Sequence, residues 1–192
     1  DEEGKETASF DASLTTAGCE KAAAFVKTCD AFNIPVLTLT NVEGYATSVE
    51  EEKTIAAAAA KLTAAFAESD VPKVNMITGN AYGSAYITMN SKHIGADMVF
   101  ALNGAKVGMM DANVAAKIMY ADEIAKADDK NALVSEKAAA YAKLQASAES
   151  AAKRGYVDSI IAPETTRQIA AAAFEMLFTK REDRPAKKHG TV

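Results

Sequence analysis

The sequence predicts an α/β domain built from parallel strand–helix units. Two strand–loop–helix stretches follow one another, residues 36–40 ahead of an alanine-rich helix and residues 73–78 ahead of a second helix, and each strand exits through a glycine. Neighbouring parallel strands need a crossover, and helices supply it. At 192 residues, 49% hydrophobic and 24% charged, the chain is long enough to bury one core of this kind.

In order, residues 1–15 read as a loose acidic segment, the end of a hairpin whose first strand lies upstream. Residues 16–31 read as a helix, with Ala22, Phe25, Val26 and Cys29 at helical spacing. Asn33 and Pro35 end it. The run VLTLT at 36–40 is a buried strand. A loop with Gly44 follows, then a capping-box pair, Ser48 and Glu51, for a helix over 49–68. That helix is mostly alanine. High helix propensity explains it, and so does close approach of another backbone, inside the domain or across a subunit boundary.

The next strand breaks at Thr78-Gly79-Asn80, and a helix starts near Ser84 and covers 85–92. Short strands follow at 98–101 and 105–108, a helix at 109–120, and a charged surface connection at 122–131. Residues 133–154 are helical with a break near Ser147, 157–161 form a short strand, and 163–178 a final helix. Residues 179–192 are a basic tail with Lys180, Arg181, Arg184, Lys187 and Lys188.

Composition excludes several functions. Net charge is -5 with pI about 5.2 and no internal basic cluster, which argues against nucleic acid. The same balance gives no steering field for an acidic ligand, so a phosphate-bearing ligand needs local basic residues or another domain. Cys19 and Cys29 have neither metal nor disulfide spacing, which points to a reduced, cytoplasmic protein. No set of His, Cys and carboxylates has metal spacing, no apolar run is long enough for a membrane span, and there is no Gly-x-Gly-x-x-Gly or phosphate-loop pattern.

The chemistry concentrates at the strand exits. A strand that turns through glycine into a helix start aims backbone N–H groups at negative charge. The small run Gly83-Ser84-Ala85 lets a ligand oxygen approach the main chain, as an oxyanion hole requires. The plainer reading of Gly44 and Gly83 is that each permits a tight turn. Ser84 lacks the Gly-x-Ser-x-Gly elbow of a nucleophile, and neither His93 nor His189 is placed to serve it, so its amide matters and its hydroxyl is incidental. His93 reads as a structural, hydrogen-bonded histidine, and Tyr82 and Tyr86 as core. Glu50, Glu51 and Glu52 read as a charge cluster at a helix N-terminus, and Asp128-Asp129 as solvated. The tail lysines read either as solvated or as contacts for ligand phosphates or a partner subunit.

The stretch Ala81-Tyr82-Gly83-Ser84-Ala85-Tyr86, then Met89, Ser91-Lys92-His93 and Gly95-Ala96-Asp97, resembles the C-terminal domain of biotin-dependent acyl-CoA carboxyltransferases, including propionyl-CoA and acetyl-CoA carboxylases and related decarboxylase alpha subunits. Cys29 to Pro35, Val71-Pro72-Lys73-Val74, Arg154-Gly155-Tyr156-Val157-Asp158, Arg184-Pro185 and Lys188-His189 extend the match over nearly the whole chain from Lys21. The resemblance implies a crotonase-like (ClpP/crotonase) β-β-α spiral. It implies transfer of a carboxyl group between carboxybiotin and the α-carbon of a short acyl-CoA, through oxyanion-hole stabilisation of enolates.

On this reading the amides of Gly83, Ser84 and Ala85 form the biotin-side hole. Gly44, Tyr45, Tyr82 and Tyr86 contact biotin, and no metal takes part. A bulky residue at Gly83 is then expected to abolish transfer without unfolding the domain. Biotin arrives on a carrier, because the chain has no Met-Lys-Met biotinylation signature. The implied partners are the acyl-CoA, an N-terminal carboxyltransferase domain or subunit, a biotin carboxyl carrier protein and further copies in a homo-oligomer. The chain, which starts at Asp1, is expected to be a fragment of a two-domain protein and inactive alone. The family's Pro-Gly-Phe loop is Glu43-Gly44-Tyr45 here, and the second glycine of its Gly-Gly pair is Ser84. A decarboxylase alpha subunit, a crotonase-type enzyme that works without biotin, and a non-catalytic assembly domain stand as alternatives.

Overall fold

The computed structural model describes residues 11–182. Its main sheet takes strands β2 (Val36–Val42), β4 (Lys73–Tyr82), β5 (Met98–Leu102) and β7 (Ser159–Ile161) in that spatial order, with β6 (Lys106–Gly108) on the far half of β4. A second, two-stranded ladder joins β1 (Ser13–Leu14) to β3 (Gly44–Tyr45). Every one of these ladders is parallel, as the strand–helix alternation predicts. Within the segment read as loose, Ser13–Leu14 is a strand parallel to β3.

Helix α1 (Thr16–Ala31) has the predicted bounds, with Thr15 Oγ1 accepting from the Gly18 amide as its N-cap. The predicted helix over 49–68 is instead two, α2 (Val49–Glu52) and α3 (Ile55–Glu68). The break has a physical cause. Ser48 accepts from the Glu51 amide at 3.2 Å as expected. The Glu51 carboxylate, however, does not reach back to Ser48: it accepts from Thr16 N and Thr16 Oγ1, each at 2.6 Å. It ties α2 to the start of α1.

Those two bonds hold the Glu51 carboxyl below the ordinary carboxylate range. A depressed folded pKa adds stability above the carboxylate range, and that stability is lost as pH falls through the folded value. Glu51→Gln is therefore expected to lower the urea midpoint at neutral pH, with the gap to wild type closing on acidification. A gap that stays constant with pH contradicts the linkage.

Both readings of the alanine helix hold inside the domain. Ala58 and Ala65 are buried with Leu62 and Phe66 against Cys19, Ala23 and Val26 of α1, Ala59 is buried as well, and Ala56, Ala57 and Ala60 face solvent. Cys19 and Cys29 are buried free thiols in that cluster, and burial raises both above the usual thiol pKa. The last-turn carbonyls of α3 have no intrahelical donors. Lys73, 1% exposed, supplies them: its Nζ donates to Phe66 O at 2.7 Å and Ser69 O at 2.8 Å.

Strand β4 does not break at Thr78-Gly79-Asn80 but runs on to Tyr82. The Asn80 amide donates to Asn41 Oδ1 at 2.9 Å, and a Cβ on Gly79 would lie 2.5 Å from that oxygen. The extra length lets β4 pair with β6. After β4 come the short helix α4 (Gly83–Thr88) and a tight turn, Lys92–Ile94, in place of one continuous helix.

Downstream, residues 109–120 contain α5 (Ala112–Met119), preceded by a non-helical start. The charged stretch 122–131 is not a bare connection: it holds α6 (Ala121–Lys126), and Asp129 accepts from the Asn131 and Ala132 amides as N-cap of α7 (Lys130–Gln145). The predicted break near Ser147 is real and starts α8 (Ala148–Lys153). The last helix is α9 (Thr166–Leu177), which packs Ile169, Ala173 and Phe174 on Val74, Met76, Phe100 and Ile161. Lys180 is no solvated tail residue: it is paired with Asp97 at 2.9 Å and Glu182 at 2.8 Å. Arg184, Lys187, Lys188 and His189 lie outside the described residues.

Candidate active site

The carboxyl ends of parallel strands are where open α/β sheets bind ligands. Here β4 ends at Tyr82, beside Gly108 of β6, and turns into α4. Gly83 makes the turn with φ +59, and a side chain there would sit 3.0 Å from the Met109 carbonyl. Glycine is required at this position. Ser84 has no positive φ, so the change from the family's second glycine leaves the backbone unstrained. First-turn amides have no acceptor within their own helix, and no side chain caps α4. The expectation that a bulky Gly83 variant folds normally needs revising, since a side chain in the left-handed region costs about 1–2 kcal/mol.

A cavity of about 980 Å³ opens beside this turn. Gly83, Ser84, Tyr86, Ile87 and His93 line it from the turn itself, and the wall far from the turn in sequence comes from Met109, Met110, Ile118, Met119, Tyr141 and Arg154. The wall is mostly apolar. Ala85, 1% exposed, lies behind it in the core with Ile77, Val99 and Val107.

Of the proposed biotin contacts, only Tyr86 reaches the cavity wall. Tyr82 is buried beneath, its hydroxyl donating to Asn80 Oδ1 at 3.4 Å. Burial, with Asp111, Glu43 and Tyr141 nearby, raises its pKa. Tyr45 bonds to Thr88 Oγ1 at 3.1 Å, and nothing lies within 4 Å of where a Gly44 side chain would start. Neither Gly44 nor Tyr45 lines the cavity, because β3 pairs with β1 on the other side of α4.

Tyr86 packs edge-on to His93, ring centroids 6.2 Å apart, and His93 lies 4.6 Å from Tyr156. His93 is exposed at the cavity and not a buried structural histidine. Tyr86 is buried, its pKa pushed up to about 12 chiefly by desolvation, and its hydroxyl has no hydrogen-bond partner among the described residues. An unsatisfied buried hydroxyl costs about 1–3 kcal/mol, so Tyr86→Phe is expected to be as stable as wild type or up to about 1 kcal/mol more so. A thermal or urea measurement showing a loss above about 1 kcal/mol would mean that the phenol is satisfied in solution.

The two motifs flanking the cavity form one unit. Lys92 Nζ donates to Asp158 Oδ1 at 2.9 Å, to Asp158 Oδ2 at 2.8 Å and to Asp97 O at 3.0 Å. Asp158 Oδ2 also accepts from the Val99 amide at 2.7 Å. This fixes the segment carrying His93 against the one carrying Arg154 and Tyr156. Sequence reasoning missed the far wall, residues 107–119 and 141–145. The available signal was Val114, Ile118 and Met119, large apolar residues on one short helix that leaves them exposed.

A carboxyl transferase domain model matches residues 4–192. The chain is 47% identical over 181 residues to the propionyl-CoA carboxylase beta chain of Saccharopolyspora erythraea, covering 90% of this chain and 33% of that protein. It is 43% identical over 183 residues to the methylmalonyl-CoA decarboxylase subunit alpha of Propionigenium modestum, covering 92% of this chain and 35% of that one. A solved transcarboxylase 12S, a hexamer crystallised with methylmalonyl-CoA and methylmalonic acid, superposes with TM-score 0.87 at 40% identity over 93% of this chain and 35% of that chain. The chain thus spans about a third of the length of the relatives it matches. Among the described residues, no helix is long and apolar enough to cross a membrane.

Proposed function

The chain belongs to the carboxyl transferase domain family, and from that premise we propose that it is the C-terminal carboxyltransferase domain of a biotin-dependent acyl-CoA carboxylase. The observation that carries this reading is the uncapped α4 start at a glycine-dictated turn, set in the wall of a large apolar cavity. The element order strand–strand–helix in β2-β3-α2 and again in β5-β6-α5 supports a crotonase-like β-β-α spiral.

The cavity suits biotin: its wall is mostly apolar, as the ring body requires, and the uncapped start of α4 offers main-chain amides to the polar ureido group. Bound biotin, brought by a separate carrier, supplies the nitrogen on which the carboxyl group travels. The chain's own part is electrostatic. The amides of Gly83, Ser84 and Ala85, fixed before reaction, stabilise charge that develops on an oxygen in the transition state. Gly83 sets their direction, and the apolar wall keeps water from competing.

The missing half of the site belongs to an N-terminal carboxyltransferase domain, in the same chain or in a partner. An acyl-CoA, a biotin carboxyl carrier protein and further copies in a homo-oligomer complete the assembly. The buried free thiols suit a reducing, cytoplasmic setting. The similarity to a decarboxylase alpha subunit favours, as a second reading, the same transfer run from the carboxylated thioester to biotin. The test is turnover of methylmalonyl-CoA by the intact protein with and without a free biotin derivative. Turnover that requires biotin is expected, and turnover indifferent to biotin overturns the reading.

A further inference from the structure

We infer that Arg154 is an anion-recognition residue of the cavity, and that the ligand group it takes is a carboxylate carried on an apolar body. Among the described residues lining the cavity, Arg154 carries the only permanent charge, and no Asp, Glu or Lys lies in the wall. Among the described residues no carboxylate pairs with its guanidinium. It is held instead by a neutral partner, donating to Gln145 Oε1. Gln145 is itself a wall residue, at the last position of α7.

A guanidinium presents five N–H donors in a planar fork, and one bond to an amide oxygen leaves most of them available. Its position is set from both sides. Arg154 ends α8, its amide donating to Ala151 O at 3.2 Å, and Gly155 at φ +81 turns the chain into Tyr156, which meets His93 at the cavity. Asp158, the nearest carboxylate in sequence, is committed to Lys92 at 2.8 Å. A cavity with an apolar wall and one tethered, uncompensated guanidinium selects an anion with an apolar body over the neutral analogue.

The inference rests on the carboxyltransferase reading only for which carboxylate this is: that of an α-carboxyacyl thioester or that on a ureido ring. The test uses the intact protein, with equilibrium binding of methylmalonyl-CoA, propionyl-CoA and butylmalonate to wild type, Arg154→Lys, Arg154→Met and Gln145→Leu. Hydrogen bonds to charged groups predict a loss of about 10- to 100-fold in Arg154→Met for methylmalonyl-CoA and butylmalonate, with propionyl-CoA little changed. Arg154→Lys and Gln145→Leu should fall between, since they keep the charge and lose the fork or its tether.

Weakened butylmalonate with unchanged methylmalonyl-CoA also supports the site and assigns its carboxylate to the ureido ring. Equal losses of methylmalonyl-CoA and propionyl-CoA binding, or no effect on any ligand, overturn it. Butylmalonate is neither a thioester nor a ureide. Arg154-dependent binding of it therefore stands even where wild-type turnover proves independent of biotin, so failure of the carboxyltransferase reading is told apart from failure of this one.

Discussion

Replacing Ser84 by proline is expected to lower biotin-dependent transfer about 100- to 1000-fold, the cost of about 2.7–4 kcal/mol found on removing one oxyanion donor. Proline has no N–H, so the substitution deletes one amide of the α4 start. The first helical turn tolerates proline, because its amides have no intrahelical acceptor and φ there already suits the ring. Ser84 is the second residue of α4 and has no positive φ. Folding should survive, with a urea midpoint near that of wild type. Ser84→Ala keeps the amide and removes only the hydroxyl, and should keep near wild-type activity. A proline variant as active as the alanine variant would remove Ser84 from the mechanism. This pair is cleaner than any change at Gly83, where the Met109 carbonyl and the left-handed φ mix a folding defect with the catalytic one.

The second large effect lies under the same helix. Asn75, fully buried at the third position of β4, donates through Nδ2 to Met89 O at 3.0 Å and Asn90 O at 2.9 Å, and accepts from Thr40 Oγ1 at 2.8 Å. Asn90, also fully buried and at φ +54, reverses the chain after α4 and donates to Thr38 Oγ1 at 3.2 Å. These side chains hold the trailing end of α4 whose leading end forms the candidate hole. Asn75→Leu keeps the branching of the side chain but leaves Asn90 O without its donor, and leaves Thr40 Oγ1 and Met89 O only their long mutual contact at 3.5 Å. At about 1–3 kcal/mol for each unsatisfied buried group, partly relieved by relaxation, a loss of about 3 kcal/mol in unfolding free energy is expected. Transfer should fall as well, because the amides lose their fixed direction. Chemical denaturation checks the first effect. A loss under about 0.5 kcal/mol would mean that water or a local shift replaces Asn75.

The fold was legible where one force dominates. The bounds of α1 follow from a Thr15 cap and a stop at Asn33 and Pro35, whereas β2, read as a buried strand, buries only alternate residues and leaves Leu37 and Leu39 exposed. The parallel order followed from strands separated by helices. Legibility failed where a side chain from elsewhere decides. Gly79 signals a turn by local rules, yet Asn41 holds it in an extended strand. Glu51 has the spacing of a capping box, yet Thr16 takes its carboxylate. The charged run after Asp122 is a short exposed helix because one of its lysines, Lys126, falls in the last turn and its acids in the first, in line with the helix dipole.

The candidate hole was read from one contiguous stretch, and Gly83, Ser84 and Tyr86 do share the cavity. Gly44, Tyr45 and Tyr82 do not reach it. The far wall, Arg154 included, comes from segments brought together only by the sheet order, and no local pattern announces that.

The most direct measurement follows the carboxyl group itself. The intact protein is given methylmalonyl-CoA labelled in its free carboxyl together with a free biotin derivative. The account predicts label on biotin and an equal amount of propionyl-CoA, with both lost in Ser84→Pro and kept in Ser84→Ala. Label that leaves as carbon dioxide at the same rate whether or not biotin is present would contradict it.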